Sequence, residues 1–306
     1  MQLQIKICPI LIGLNWLLWG SVSTVLSREV FPSETSPILY AQFSPQDQAI
    51  QWMTRGLQLV QAGNLTEAIA AFRQAIAIDP SLAPAYYNLG LALRQSGDLQ
   101  AAADAFYQAI QNDPGFALAY ANLGAALLEG NNLQQANDYL LRAIALDPKM
   151  GIAYYNLGLV QQQQGKIEEA IASYRQAMGY SPNVPEPAYY LGLLYLQQNQ
   201  LREAENSFKK ALQIAPNHAP SHYHLGFIFF SSDRLDDALN AFRRAAESNP
   251  NYANAYYGAG LVFLRQNLYS DAVRVLEYAR DLYSQQGARE WVRKAEELIQ
   301  QARSQQ

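Results

Sequence analysis

The sequence predicts an all-α solenoid: seven helix pairs stacked in a row and closed by one further helix. Three series of residues carry this reading. Pro80, Pro114, Pro148, Pro182, Pro216 and Pro250 recur every 34 residues. Gly90, Gly124, Gly158, Gly192, Gly226 and Gly260 share that spacing, with Gly56 one step earlier. Ala68, Ala102, Ala136, Ala170, Ala204 and Ala238 follow it too, with Ala272 after them. A length of 306 residues would suggest about two globular domains, but three interleaved series in register mark a repeat array instead.

Each element of the repeat has a physical cause. The shared glycine and alanine belong where the two helices of a pair cross, because small residues let the backbones approach closely. Between the helices stand Gly63, Gly97, Asn131, Gly165, Asn199, Asp233 and Asn267. All are Gly, Asn or Asp, the residues that tolerate the left-handed backbone ending a helix. The proline ends the second helix, since it lacks the backbone donor and pushes its predecessor towards extended backbone. Phe72, Phe106, Leu140, Tyr174, Phe208, Phe242 and Leu276 fill the core between pairs. No pair can bury its apolar face alone, so stacking builds one continuous core.

The end of the stack needs a polar outer face. After Gly287, residues Trp291, Val292, Ala295, Leu298, Ile299 and Ala302 recur at helical spacing, with Arg293, Lys294, Glu296 and Gln300 opposite. This is the expected cap. In the last pair Ser284 replaces proline and Ala259 replaces leucine; in the fifth, Ala188 stands where an aromatic is usual. In this register the pairs run 49–82, 83–116, 117–150, 151–184, 185–218, 219–252 and 253–286, and the cap 287–306. A leader at 1–27 and a Pro-, Ser- and Thr-bearing linker at 28–48 precede them.

The pattern resembles the tetratricopeptide repeat: Tyr86, Leu89, Gly90, Leu93, Ala102, Phe106, Ala109 and Pro114 in the second pair, and Trp52, Gly56, Leu59, Ala68, Phe72, Ala75 and Pro80 in the first. The resemblance runs from residue 49 to about 286. It implies a right-handed superhelical solenoid in which the first helix of each pair lines a concave groove, and a function in binding other proteins. Carried over by repeat position, the groove residues are Tyr87, Leu91, Arg94, Tyr155, Leu159, Tyr189, Leu193, Tyr223, Phe227, Tyr257 and Leu261. Asn88, Asn122 and Asn156 form a ladder that in some relatives bonds the backbone of an extended peptide; an amide offers both donor and acceptor. Relatives that clamp a C-terminal carboxylate use lysines and an asparagine in the groove. Tyrosine and leucine stand at those places here, so that ligand class is not expected.

Composition bounds the function further. Half the residues are hydrophobic and 16% are charged, which excludes a disordered chain. A net charge of −4 argues against a phosphate-neutralising surface, so no nucleic-acid partner is expected. The one cysteine, Cys8, lies in the leader, which leaves no disulfide framework or thiolate metal site in the repeats. No charged residue occurs from Ile7 to Ser27, while Lys6 precedes and Arg28 follows. This reads as a cleaved export signal or a retained anchor, either of which puts the repeats across the membrane from the N-terminus, with a cytosolic chain as the lesser alternative. Membrane association is expected through this segment alone.

His218, His222 and His224 are the three histidines. His222 takes the place of a buried aromatic, and His222 and His224 point to different helix faces, so packing accounts for them better than metal. Glu168-Glu169, Asp236-Asp237 and Glu296-Glu297 lie near helix starts or in the cap, where they favour the helix dipole or solvent. No nucleophile–base pair, cofactor motif or metal cluster is legible; no cofactor and no catalysis are expected. The leading reading is a scaffold that holds a partner's apolar helix or extended segment, as in the assembly of a membrane or envelope complex. A holdase-like chaperone and a non-catalytic enzyme subunit are the alternatives.

Overall fold

A computed structural model describes residues 44–306. The leader, Cys8 and linker residues 28–43 lie outside the described residues. Among the described residues there are fifteen α-helices and no strand. They are α1 (Pro45–Gln61), α2 (Leu65–Ile78), α3 (Ala83–Gln95), α4 (Leu99–Asn112), α5 (Ala117–Glu129), α6 (Leu133–Leu146), α7 (Gly151–Gln163) and α8 (Ile167–Tyr180). The series continues with α9 (Glu186–Gln197), α10 (Leu201–Ile214), α11 (Ala219–Ser231), α12 (Leu235–Ser248), α13 (Ala253–Arg265), α14 (Tyr269–Gln285) and α15 (Arg289–Arg303). No helix among them is long and apolar enough to cross a membrane.

The turns follow the residue chemistry closely. Gly63, Gly97 and Gly165 have φ of 80°, 87° and 76°, and Asn131, Asn199, Asp233 and Asn267 lie between 57° and 60°. Every turn between paired helices thus contains one left-handed residue, at the position read from the sequence. The second helices α2, α4 and α6 end at Asp79, Asp113 and Asp147, all in extended backbone and each directly before a proline. Helix α14 tests the rule. With Ser284 in place of proline it spans 17 residues where the other second helices span 14.

The first helix starts earlier than the register implies. Residues 44–48 belong to the predicted linker, yet α1 begins at Pro45. Ser44 Oγ accepts from the Asp47 N–H at 3.1 Å, and Asp47 Oδ2 accepts from the Ser44 N–H at 3.1 Å. This reciprocal cap, with proline at the first helical position, recruits a turn that the repeat pattern does not require.

Packing explains the three periodic series. A Cβ built on Gly56, Gly90, Gly158, Gly192 or Gly226 would stand 2.5–2.7 Å from the ring of Phe72, Phe106, Tyr174, Phe208 or Phe242. Gly124 and Gly260 meet Leu140 and Leu276 in the same way. The alanines from Ala68 to Ala272 are 0% exposed, so both faces of each crossing are closed. Each core ring or leucine so enclosed contributes about 1.5–3 kcal/mol from burial.

The two ends differ. Trp52, the counterpart of Tyr86 in the first of the described pairs, is 39% exposed. At the other end α15 packs on α14, burying Ala295, Ile299 and Ala302 while Arg293, Glu296 and Gln300 stay in solvent. Along the stack, first helices of successive pairs touch: α1 with α3, α3 with α5, α5 with α7 and α11 with α13. Second helices of successive pairs make no contact of that extent among the described residues. First helices therefore crowd along the inner side, the geometry of a superhelix with a concave face.

Candidate functional site

The predicted groove residues all lie on first helices, so the tilt between successive pairs decides how far each is exposed. The tyrosines lean on the core of their own pair. Ring centroids are 5.8 Å apart for Tyr87–Phe106, 6.2 Å for Tyr155–Tyr174, 5.9 Å for Tyr189–Phe208 and 5.8 Å for Tyr223–Phe242. Tyr257 has only Leu276 beneath it and turns to Tyr283 and to Trp291 of the cap, at 6.2 and 5.5 Å. Burial raises the pKa of all five phenols, which holds them as neutral hydroxyls.

Two of the expected groove residues belong to the core. Tyr189 is 7% exposed and Leu193 9%. Tyr189 is closed over by His218, the N-cap of α11, and by His224, whose rings lie 4.9 and 5.8 Å from its own, and Leu193 belongs to the same core cluster. Leu91 and Leu159 are half-buried against the core, and Phe227 and Leu261 are half-buried as well. Among the expected groove residues, the apolar surface left open is therefore the outer part of these four side chains, with the edges of Tyr87, Tyr155, Tyr223 and Tyr257.

The asparagine ladder occupies a junction. Its register position continues as Tyr190, His224 and Gly258, and these three lie against the core ring of the preceding pair. Tyr190 stacks on Tyr174 at 5.9 Å, His224 on Phe208 at 5.2 Å, and a Cβ on Gly258 would reach Phe242 at 2.5 Å. Asn122 and Asn156 are accordingly 9% and 8% exposed. The Asn122 amide donates to the Leu118 carbonyl at 3.0 Å and to the Tyr87 hydroxyl at 3.2 Å. Asn88 donates to the Pro84 carbonyl one turn back at 2.8 Å. Both amide hydrogens of Asn122 and one of the two of Asn88 are thus engaged within the stack.

Two inner-side carboxylates, Glu129 and Glu186, differ in whether they are paired. Arg94 Nε donates to Glu129 Oε1 at 3.0 Å, and Nη2 meets the same oxygen. The two side chains are only 19% and 15% exposed, and the pair bridges α3 to α5. Glu186, at the start of α9, has no such partner. Its Oε2 is shut off from solvent and receives no hydrogen bond. The Tyr155 and Tyr190 rings lie 5.9 Å apart, and burial first, then the Glu186 charge, pushes both phenols up.

The histidines are engaged in packing and turns. His218 Nδ1 lies 2.7 Å from Ser221 Oγ, and His222 Nε2 2.8 Å from the Pro216 carbonyl. The Tyr189 hydroxyl meets His224 Nε2 at 3.4 Å. Sequence reading placed His222 correctly in the buried aromatic slot. It missed the stacking of His224, whose signal is its shared register with Tyr190.

Paired helices at a 34-residue period, left-handed turns and small residues at each crossing define a tetratricopeptide-repeat solenoid. A family model described as the Cilia and flagella-associated protein 70 C-terminal domain, itself a tetratricopeptide-repeat model, matches residues 43–261. The chain belongs to this tetratricopeptide-repeat family. Among solved structures it is similar to pilF of Pseudomonas aeruginosa, 23% identical with a TM-score of 0.62 over 69% of this chain and 97% of that one. A tetratricopeptide repeat protein of Parabacteroides merdae is 17% identical with a TM-score of 0.61, over 81% and 99%. Both likenesses speak to the fold alone. YrrB, described as a TPR protein with an unusual peptide-binding site, is 25% identical with a TM-score of 0.53, over 64% of this chain and 99% of that one. No curated protein sequence matches the chain.

Proposed function

We propose that this chain is a protein-interaction scaffold that holds an apolar helix or extended segment of a partner in its concave face. The observation that carries the reading is the near absence of charge on the inner helices. Helices α7 and α11 contain no Asp, Glu, Lys or Arg, and α9 contains one. Onto that surface open the half-buried Leu91, Leu159, Phe227 and Leu261. A contiguous apolar face on a helical solenoid is an interaction surface by physical default. The peptide-binding description of YrrB supports the same class of partner. No cofactor, catalytic step or nucleic-acid contact forms part of this reading. In it, the leader carries the repeats across a membrane or tethers them to it, and the partner belongs to a membrane or envelope assembly.

The test is affinity capture from membrane and envelope extracts with the wild-type chain and with Leu159→Glu/Phe227→Glu. Leu193 is left untouched, because a charge at a 9% exposed core position would unfold the junction. Circular dichroism must show both proteins equally helical. Defined partners lost by the variant support the groove; partners held equally by both move the working surface to the convex side or the cap. Fractionation of tagged full-length chain tests the leader, and recovery in the soluble cytosol would sink that part.

A further inference from the structure

We infer that the concave face between α7 and α9 takes a cationic group of the bound segment (a lysine or arginine side chain, or a free N-terminal amine) against Glu186. The inference rests on the scaffold reading and adds a chemical identity to its ligand.

Glu186 carries the whole case. Its Oε2 is one of two buried side-chain polar atoms without a partner among the described residues. A carboxylate oxygen withdrawn from water and given no donor is unfavourable unless something else supplies one. The Tyr155 and Tyr190 phenols, which feel the Glu186 charge, place no donor within hydrogen-bond reach of Oε2. No cation of the inner helices is at hand: α7, α9 and α11 contain no Lys or Arg. Arg94 is closed on Glu129, and Arg265 lies 3.3 Å from Asp233.

The fold does not ask for a carboxylate at this position. The same register in the other pairs holds Ile50, Pro84, Leu118, Ile152, Pro220 and Asn254, none of them charged. A favourable helix dipole does not account for it either. Glu168, Glu169, Asp236 and Asp237 are first-turn carboxylates too, and they stand exposed in water. Unlike these four, Glu186 is partly buried, one turn before Tyr190, and unlike the inner Glu129 it has no basic partner. An ammonium or guanidinium group has the donors this site lacks, and the flanking aromatic rings suit a cation as well.

The probe is an array of random short peptides, printed once with capped and once with free N-termini, and incubated with the full-length chain. Lys- or Arg-bearing apolar peptides are expected to dominate the bound set. Preference for the free-amine half would identify a terminal amine as the source; equal binding in both halves would identify a side chain. Glu186→Gln is expected to weaken the basic binders about tenfold or more and to leave uncharged apolar binders unchanged. Glu186→Lys is expected to reverse the preference towards acidic peptides. If apolar peptides bind without charge preference, or basic ones bind Glu186→Gln as tightly as wild type, the cation site is overturned while the groove stands. If binding is absent, or survives Leu159→Glu/Phe227→Glu, the groove reading fails and this inference with it.

Discussion

Gly258 lies over the ring of Phe242 in the preceding pair, so close that a Cβ at 258 would stand 2.5 Å from Cε1. Gly226 faces the same ring from within the pair, at 2.6 Å. Phe242 is thus held between two glycines, one from each side of a repeat junction, and is 3% exposed. Gly258→Ala gains helix propensity but forces the ring aside, and the net cost is expected to be about 1–3 kcal/mol. Gly179 in α8 has nothing within 4 Å of its Cβ direction. Gly179→Ala is therefore expected to stabilise by up to ~1 kcal/mol. Urea melts of the two variants check the contrast, and equal effects would refute the close-packing account.

Asn199 holds the turn between α9 and α10 at φ 58°. Asn199→Gly removes the left-handed penalty and is expected to stabilise by a few tenths of a kcal/mol up to ~1. Asn199→Ala keeps a Cβ without the local polar group and is expected to cost about 1 kcal/mol. Opposite signs in thermal melts are the expected result.

Ser284 lets α14 run on to Gln285 and present Tyr283 to the cap, where its ring stacks on Trp291 at 5.7 Å. Ser284→Pro restores the residue found in the other pairs but inserts it inside a helix. It is expected to cost ~3 kcal/mol and to loosen α15. Hydrogen exchange of the α15 amides should quicken well before that of α1 to α12; uniform protection would argue against the role given to Ser284.

Acid should weaken the junction of the fifth and sixth pairs. Burial holds the His224 imidazole down to about 3 and His218 down to about 4, against about 6.5 in an unfolded chain. Between those values the unfolded state binds more protons than the folded one. Stability is therefore complete above pH ~6.5 and falls as pH drops through ~6.5, towards about 4 for the His218 share and about 3 for that of His224. His224→Phe keeps the stack on Phe208 and removes one of these groups. Its stability is expected to fall less steeply between pH 7 and pH 5, and parallel curves would rule His224 out as a contributor.

How far the sequence speaks depends on the range of the interaction. Left-handed turns, the proline stops and the core series were legible because each reflects chemistry at a fixed offset within one pair. The α1 start at Pro45 was not, because its cap lies before the first copy of the pattern. The burial of Tyr189 and Leu193 was also hidden. Both sit at register positions that are half-open in neighbouring pairs, and His218 and His224 of the following pair close over Tyr189. The Asn122 bond to Tyr87 and the Arg94 bond to Glu129 each span 35 residues, so no local spacing announces them.

By itself, then, the sequence determined the class of fold, the repeat register and the residues that turn one helix of a pair into the next. A 34-residue period constrains every pair alike. Only the tertiary structure decided which inward residues remain accessible, which amides are already engaged, and that Arg94 is answered while Glu186 is not. Those outcomes turn on the tilt of one first helix against the next. That tilt is a sum of many contacts between pairs, and no single residue encodes it.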